Sequence, residues 1–158
     1  MALDISKQTH YKGLLGELAF TLHLIKRGWK VYKPLDQNSR VDLVVEKEGK
    51  LKRIQVKYCT PRNGCLAIDL EHRIRKTKPF AKNDLDAIGA YDPINDKYYL
   101  IPFDRIFPKG TFWLRIAKPA SSQVKGINKA EDFEIDVRGK RLKAVRVKLP
   151  FYKRQGAK

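Results

Sequence analysis

Residues 40–59 read RVDLVVEKEGKLKRIQVKYC, two strand-like runs on either side of a turn at Gly49. Side chains alternate between the two faces of a strand, so the polar residues of each run share one face. A hairpin loop of two or four residues places Asp42 directly opposite Gln55, with Lys57 as the diagonal neighbour on the same face. An odd-length loop turns Asp42 to the other face. The register therefore predicts a small polar patch of Asp42, Gln55 and Lys57 inside an otherwise apolar hairpin.

Composition restricts the function classes. The chain has 158 residues, of which 42% are hydrophobic and 10% aromatic, as expected for one folded domain. Lys and Arg number 34 against 17 Asp and Glu, a formal charge of +17 that favours a polyanionic partner such as nucleic acid. A basic surface kept for solubility is the alternative. An anionic membrane surface is disfavoured, because no basic amphipathic helix carries the charge.

The sequence also predicts the compartment. Cys59 and Cys65 lack the spacing of a zinc site, and we expect reduced thiols in a cytoplasmic protein with access to DNA. The N-terminal residues show no targeting pattern, and no apolar run approaches the ~20 residues that span a bilayer. No membrane partner is expected.

Periodicity predicts an α+β fold with an α/β core: a mixed sheet with a long N-terminal helix packed on it. The helix begins near Asp4 or Ser6 and ends at Gly28, after which Trp29 packs back on Leu24. We expect its apolar stripe to face the sheet; the stripe consists of Tyr11, Leu14, Leu15, Leu18, Leu22 and Ile25. Strands are predicted at 30–32, 41–46, 51–59, 66–70, 85–90, 97–101, 112–116, 133–138 and 143–148, with a turn at 102–107 and a loop at 118–129.

Glu17 lies at the edge of the stripe, beside Gly13 and Gly16. Each Gly costs up to about 1 kcal/mol inside a helix, so two of them beside an acid suggest close approach by another backbone or a ligand. The alternative is an ordinary surface Glu near two unrelated glycines.

The polar patch has a possible chemistry. Oxygen ligands from Asp, Glu and the Gln amide, without His or Cys nearby in sequence, suit a hard cation such as Mg²⁺. Such a cation stabilises charge on a phosphate, and a nearby Lys can neutralise that charge or lower the pKa of the attacking water. A solvated hairpin face explains the same spacing, and spacing alone does not separate the two interpretations.

The order of elements adds a resemblance. The runs GLLGELAFTLHLIKRGWKVYKP (13–34) and SRVDLVVEKEGKLKRIQVK (39–57) resemble the PD-(D/E)xK nuclease core, and most of all the small homing endonucleases of this superfamily encoded in group I introns, in which Gln replaces the final acid. The resemblance is close over 13–57 and looser to about residue 107. It departs from the superfamily at Gln55 and at Val41, which stands in place of the usual proline.

The resemblance implies roles for the site residues. The catalytic residues are Glu17, Asp42, Gln55 and Lys57, and the cofactor is Mg²⁺, for which Mn²⁺ can substitute. Asp42 is the principal metal ligand, and Gln55 and the backbone carbonyl of Val56 are further ligands. Lys57 is the catalytic lysine, and Glu17 binds a water of the metal shell or a second ion. The loss of the acid at Gln55 leaves open whether one or two metal ions act.

The basic residues predict where DNA binds. Residues 1–158 form a single nuclease domain, with a catalytic core at 3–107 and a basic extension for DNA binding or oligomerisation at 108–158, where 137–158 hold nine basic residues and no acid after Asp136. Segment 71–82 is the candidate for reading the DNA groove. The predicted DNA-binding residues are Arg40, Arg73, Arg75, Lys76, Lys78 and Lys82.

Together these features predict a Mg²⁺-dependent, sequence-specific double-strand DNA endonuclease of the homing type. A Holliday-junction resolvase shares the core and the basic surface, and a non-catalytic nucleic-acid-binding protein on the same core is a third possibility. Because one site cuts one strand, we expect a homo-oligomer, a dimer or a dimer of dimers, held by the C-terminal half. The aromatic residues available there are Phe107, Phe112, Trp113, Phe133, Phe151 and Tyr152, with core packing as the alternative for each.

Overall fold

The computed structural model of the protein describes residues 8–36, 38–70, 80–107, 110–118 and 126–135. The elements are, in chain order, α1 (Thr9–Ile25), β1 (Lys30–Tyr32), β2 (Leu43–Lys47), β3 (Lys50–Tyr58), β4 (Cys65–Asp69), β5 (Ala87–Asp92), β6 (Lys97–Pro102), the short α2 (Phe103–Ile106), β7 (Thr111–Arg115), β8 (Asn128–Lys129) and a 3₁₀ turn at Ala130–Asp132.

Five strands form a mixed sheet in the order β1-β2-β3-β5-β6, and a second sheet has the order β4-β7-β8. In the five-stranded sheet only the β3–β5 pair is parallel. A parallel pair needs a long crossover, and here the crossover carries β4 to the second sheet before the chain returns as β5. Helix α1 packs on the five-stranded sheet, mainly over β3. The predicted α+β class, a mixed sheet with a long N-terminal helix, is confirmed.

The β2–β3 hairpin has the predicted even-length loop. Lys47 pairs with Lys50, and both loop residues have positive φ, 53° at Glu48 and 73° at Gly49. Positive φ at both positions is the backbone of a type I′ turn, whose twist matches the twist of the flanking strands. The loop therefore fixes the register that carries Gln55 and Lys57 toward Asp42.

The end of α1 is also as predicted. Gly28 adopts φ 74° and donates its N–H to the Ile25 carbonyl at 2.9 Å, and Trp29 donates to the Leu24 carbonyl at 3.2 Å. These two bonds form a Schellman motif, in which glycine avoids the strain of the left-handed conformation. The helix begins at Thr9, and the predicted capping residues Asp4 and Ser6 lie outside the described residues.

The orientation of α1 is opposite to the prediction. The residues of α1 that are buried are Gly16, Phe20, His23 and Leu24, whereas the predicted stripe is exposed. The Phe20 ring occupies the space above Gly89 of β5, where a Cβ would lie 2.7 Å from the Cζ atom of Phe20. This fit places the aromatic side against the sheet and turns the leucine side outward. The helix is apolar on both sides, so periodicity alone did not identify the side that the sheet covers.

The other face of the five-stranded sheet packs on the second sheet. Ile88 and Ile101 from the first sheet share a core with Leu66 and Leu114 from the second. Three of the six aromatics predicted at an interface belong to this core: Phe112 is buried, and Phe107 and Phe133 pack against it. Of the predicted set, Trp113 is exposed, and Phe151 and Tyr152 lie outside the described residues.

The chain after β7 departs from the predicted elements. Strand β8 lies within the predicted loop 118–129, where it pairs in parallel with β7. Of the predicted strand 133–138, the described part makes an isolated bridge between Glu134 and Tyr99 beside β6, and the predicted strand 143–148 lies outside the described residues. The buried Ala130 and Ile135 join the two halves of the core, so the described part of the predicted extension is packed into it. Within the ranges given above, no helix is long and apolar enough to cross a membrane.

Candidate active site

The polar patch lies where the β2–β3 ladder stops. Strand β2 begins at Leu43, one residue later than an uninterrupted ladder to Asp42 requires. The N–H of Asp42 donates to the Ile54 carbonyl at 3.0 Å, and its Oδ2 accepts the N–H of Val56 at 2.7 Å. The Asp42 carboxylate thus takes a hydrogen bond from the β3 backbone, which fixes the side chain against that strand.

Asp42 has an electrostatic environment unlike that of a surface carboxylate. Burial raises its pKa from 3.8 to about 6. The Val56 hydrogen bond lowers the pKa, the nearby carboxylate of Glu17 raises it, and the ammonium groups of Lys57 and Lys33 lower it. Desolvation and the second carboxylate both disfavour the ionised form of Asp42. A cation bound beside it would stabilise that ionised form.

Gln55 adds an unpaired acceptor. Its side chain is 5% exposed, on the segment of β3 that pairs in parallel with β5. The Oε1 atom is buried and has no hydrogen-bond partner. A buried acceptor without a partner costs about 1–3 kcal/mol, so such an atom in a native fold calls for an explanation. A bound cation or water at this oxygen supplies one.

Lys57 follows on the same strand, opposite Ala90 of β5. Burial lowers the pKa of its ammonium group, and the carboxylates of Asp42 and Asp69 act in the opposite direction. A half-buried lysine surrounded by acids is a common feature of catalytic sites, where a group must exchange protons near neutral pH. Asp69 of β4 was not among the residues selected from the sequence, because its approach to Lys57 depends on the second sheet.

Glu17 reaches the site from α1. Its Oε2 lies 2.9 Å from the Nζ atom of Lys33, just after β1. Lys33 is a second residue that the sequence did not identify: a lysine before a proline at the end of a strand gives no signal, and its partner is 16 residues away. Gly16 explains the close approach predicted here, because a Cβ at this position would lie 3.3 Å from the Cβ of Tyr58 on β3. Gly13 has nothing within 4 Å and faces open space.

An open cleft of about 700 Å³ lies between the residues that α1 and the start of β2 contribute to the site. Glu17, Lys33 and Asp42 line it together, whereas Gln55 and Lys57 are not among its wall residues. The other residues that line the cleft are His10, Gly13, Leu14, Pro34, Asp36, Ser39 and Val41. A substrate in the cleft therefore meets Asp42, whereas Gln55 is buried and Lys57 half-buried outside the cleft wall.

Only two of the six residues selected for DNA binding, Arg40 and Lys82, lie within the described residues. Arg40 donates to Asp84 at 3.0 Å, and its guanidinium lies 4.8 Å from the centroid of the Phe80 ring, so it holds the segment that precedes β5. Lys82 is exposed. Four of the predicted residues lie outside the described residues: Arg73, Arg75, Lys76 and Lys78.

The donor set is sparse by the standard of a complete metal site. In the part of the chain that the structure describes, no group of three or more His, Cys, Asp or Glu side chains is placed to hold a metal ion. The site offers two carboxylates and one amide oxygen. Mg²⁺ keeps several waters and completes its coordination with substrate phosphate oxygens, so a small protein donor set of oxygens is compatible with it.

Comparison with known proteins decides the family. The sequence model of the PD-(D/E)XK endonuclease family matches residues 7–136. The chain belongs to the PD-(D/E)XK endonuclease family. The match includes α1, both sheets and every candidate catalytic residue, and it confirms the superfamily to which the two sequence runs pointed.

Two individual proteins are similar to this PD-(D/E)XK endonuclease. The structure of a bacterial homing endonuclease, I-Ssp6803I, superposes with a TM-score of 0.63 at 26% sequence identity, over 80% of this chain and 88% of that one. Protein 5.3 of Escherichia phage T7 is 38% identical over 53 residues, which are 34% of this chain. The matched region spans 45% of the length of that phage protein. The family and the structural match support a nuclease of the homing endonuclease type.

Proposed function

We propose that this protein is a divalent-metal-dependent DNA endonuclease that cuts both strands of a specific duplex site, as a homing endonuclease does. The observation that carries the proposal is the position of Asp42. Its carboxylate is held by the N–H of Val56, the residue after Gln55 with its unpaired Oε1, on the hairpin to which the resemblance assigns catalysis. The similarity to I-Ssp6803I supports the homing type.

The residues present fit a hard cation. The Gln55 Oε1 is a buried oxygen without a partner, and Asp42 is a carboxylate whose pKa is raised by burial. Asp42 and Gln55 would hold the ion, with the Val56 carbonyl as a further oxygen and Glu17 acting directly or through water. When bound, Mg²⁺ supplies positive charge that stabilises the phosphate undergoing attack and makes a water more acidic. Mn²⁺ takes similar oxygen ligands and can substitute.

The protein's own groups have separate tasks. Burial lowers the pKa of Lys57, which lets this group take up or release a proton closer to neutral pH than an ordinary lysine does. Its charged form neutralises the charge that builds on phosphorus during hydrolysis, and its neutral form accepts a proton from the attacking water. Lys33 holds the Glu17 carboxylate at 2.9 Å and so orients that side chain toward the cleft.

The charge of the protein supports DNA as the substrate. A net charge of +17 raises the local concentration of a polyanion and makes its binding salt-dependent. Lys82 and the basic segments 71–79 and 137–158 would supply phosphate contacts. One active site breaks one strand, so a double-strand break requires two sites, and we therefore include a homo-oligomer in the proposal.

A selection experiment tests the proposal. The protein is incubated with Mg²⁺ and a library of random duplexes, and the cleaved molecules are sequenced. Recovery of one long, defined site supports homing-type cleavage. A synthetic four-way junction tested in parallel identifies a resolvase if it alone is cut, and cleavage of neither substrate in Mg²⁺ or Mn²⁺ indicates a binding protein. The Asp42→Ala variant serves as the inactive control in each arm.

A further inference from the structure

The exposed side of α1 has the spacing of a helix–helix seam. Its large apolar residues follow one another in alternating steps of four and three residues: Tyr11, Leu15, Leu18, Leu22 and Ile25. This is the a/d pattern of a heptad repeat, which forms when one helix packs along another. Each of the five leaves between 38% and 53% of its surface in solvent.

The seam is not covered within the described residues. Helix α1 contacts the five-stranded sheet through its opposite side, at β1, β3 and β5. Residues Phe20 and Leu24 on that side are completely buried, so the helix is apolar on two opposite sides. A contiguous exposed apolar face on a helix marks an interaction site, whereas single exposed apolar residues are normal.

The heptad spacing indicates that the missing neighbour is a helix. Among the described residues, α1 is the one helix longer than a single turn, because α2 has four residues. A second copy of the chain offers the same seam, and identical patches satisfy each other about a two-fold axis. We propose that α1 packs against α1 of a second copy, about a two-fold axis near Leu18, the middle residue of the seam.

The seam itself carries no charge that would oppose this contact. A chain of net charge +17 repels its own copies, but within α1 the charged side chains are Lys12 and Glu17, and neither lies on the seam. Two copies can therefore meet here through apolar contacts alone. Salt screens the remaining repulsion, so added salt strengthens this association, whereas it weakens binding to DNA.

The inference rests on the proposed function in one respect: it says how two active sites are brought together. Glu17 lies at the side of the seam, and Leu14, which borders the seam, also lines the cleft. Pairing of the two helices joins two clefts in one particle. Each cleft then cuts one strand of the duplex.

Light scattering of the DNA-free protein tests the interface directly. At micromolar concentration the wild type should have at least twice the monomer mass of 18.3 kDa, and the mass should rise with salt if association is incomplete. Leu18→Glu places a charge at the centre of the seam and should halve the mass. The matched control is Ile94→Glu, since Ile94 is 71% exposed in the β5–β6 turn, and it should keep the wild-type mass. A monomeric wild type, or an unchanged mass for Leu18→Glu, overturns the proposal.

Disulfide trapping gives a second measurement that does not depend on how the charged variant folds. In a Cys65→Ser background, Leu18→Cys should form a covalent dimer under mild oxidation, and Ile94→Cys should not. Equal cross-linking of both variants contradicts the predicted axis. If residues 136–158 of the same chain cover α1 instead, the wild type remains a monomer and Leu18→Cys gives no dimer, which also overturns the proposal.

A cleavage assay separates this inference from the proposed function. Leu18→Glu should retain nicking of one strand and lose at least 10-fold in double-strand breaks, since the active site of each copy is unaltered. If Leu18→Glu changes neither the mass nor the double-strand cleavage of an active nuclease, the interface is refuted and the proposed activity is not. If the protein dimerises through α1 but cuts no DNA, the proposed activity is refuted and the interface is not.

Discussion

The carboxylate of Asp42 accepts the backbone N–H of Val56 at 2.7 Å, and at this residue the β2–β3 ladder ends. The Asp42 side chain thus accepts the Val56 N–H in place of a backbone carbonyl of β2. The bond ties the Asp42 side chain to β3, the strand that carries Gln55 and Lys57. The hairpin backbone thereby fixes the orientation of the Asp42 carboxylate, which we assign to catalysis.

Asp42→Ala should reduce cleavage by more than about 100-fold, the upper end of the loss seen when an outer partner of a metal ligand is removed. Duplex binding at moderate salt should change little, because phosphate contacts dominate affinity. Cleavage of the selected site and gel-shift binding measure the two effects. Asp104→Ala, an exposed acid on α2, is the charge-matched control. Metal-dependent cutting by Asp42→Ala at the wild-type rate would exclude Asp42 as the main ligand.

Gln55→Glu should increase affinity for Mg²⁺ and Mn²⁺, since it adds a negative charge beside Asp42. In metal-free buffer the same variant should lose about 1–3 kcal/mol of unfolding free energy, because the new charge is buried without a partner. Calorimetric titration and urea unfolding measure these changes, with the exposed Gln8→Glu as control. Unchanged cleavage by Gln55→Ala would show that Gln55 does not contact the ion.

Lys33→Ala should slow cleavage about 10-fold at neutral pH, because Glu17 loses the partner that orients it. It should also move the acid limb of the pH–rate profile upward: Lys33 lowers the pKa of Asp42, so its removal raises that pKa and fewer molecules are ionised at a given pH. Lys30→Ala, which breaks the ion pair between Lys30 on β1 and Glu46 on β2, is the control and should keep the wild-type profile.

His23 should make the fold sensitive to acid. Its ring stacks on Tyr98 with centroids 3.7 Å apart, its Nε2 lies 3.0 Å from the Ile135 carbonyl, and burial lowers its pKa from 6.5 to about 4. The folded state therefore binds the proton less well than the unfolded state does. His23 therefore contributes a loss of stability of about 3 kcal/mol as the pH drops from 6.5 toward 4, whereas the raised pKa of Asp42 acts in the opposite direction over the same range. Since Asp42 is common to both proteins, urea unfolding across this range should show the wild type losing stability relative to His23→Gln, and His10→Gln should behave as the wild type.

Gly89→Ala should destabilise the protein by about 1–3 kcal/mol, because the new Cβ overlaps the Phe20 ring. Gly13→Ala is the contrasting substitution: nothing lies within 4 Å, and alanine favours a helix by up to about 1 kcal/mol. Thermal unfolding compares the two. Equal stability for Gly89→Ala and the wild type would mean that α1 does not press Phe20 onto β5.

Local features of the sequence determined much of this fold. The Glu48-Gly49 turn fixed the hairpin register, and Gly28 fixed the end of α1, because each depends on backbone conformations within a few residues. The alternation on either side of the turn placed Gln55 and Lys57 on one face. These local features were enough to bring out the resemblance to the nuclease family and to select four candidate catalytic residues from the sequence alone.

The tertiary structure determined the packing contacts that the local sequence pattern does not specify. Both sides of α1 are apolar, and only the space above Gly89, which Phe20 fills, determined which side packs on the sheet. The pairing of Glu17 with Lys33 and the approach of Asp69 to Lys57 join segments that are distant in sequence. The burial of Gln55 likewise depends on β5 and the second sheet. Periodicity gives the direction of a side chain relative to its own backbone, whereas its neighbours are set by how the elements pack.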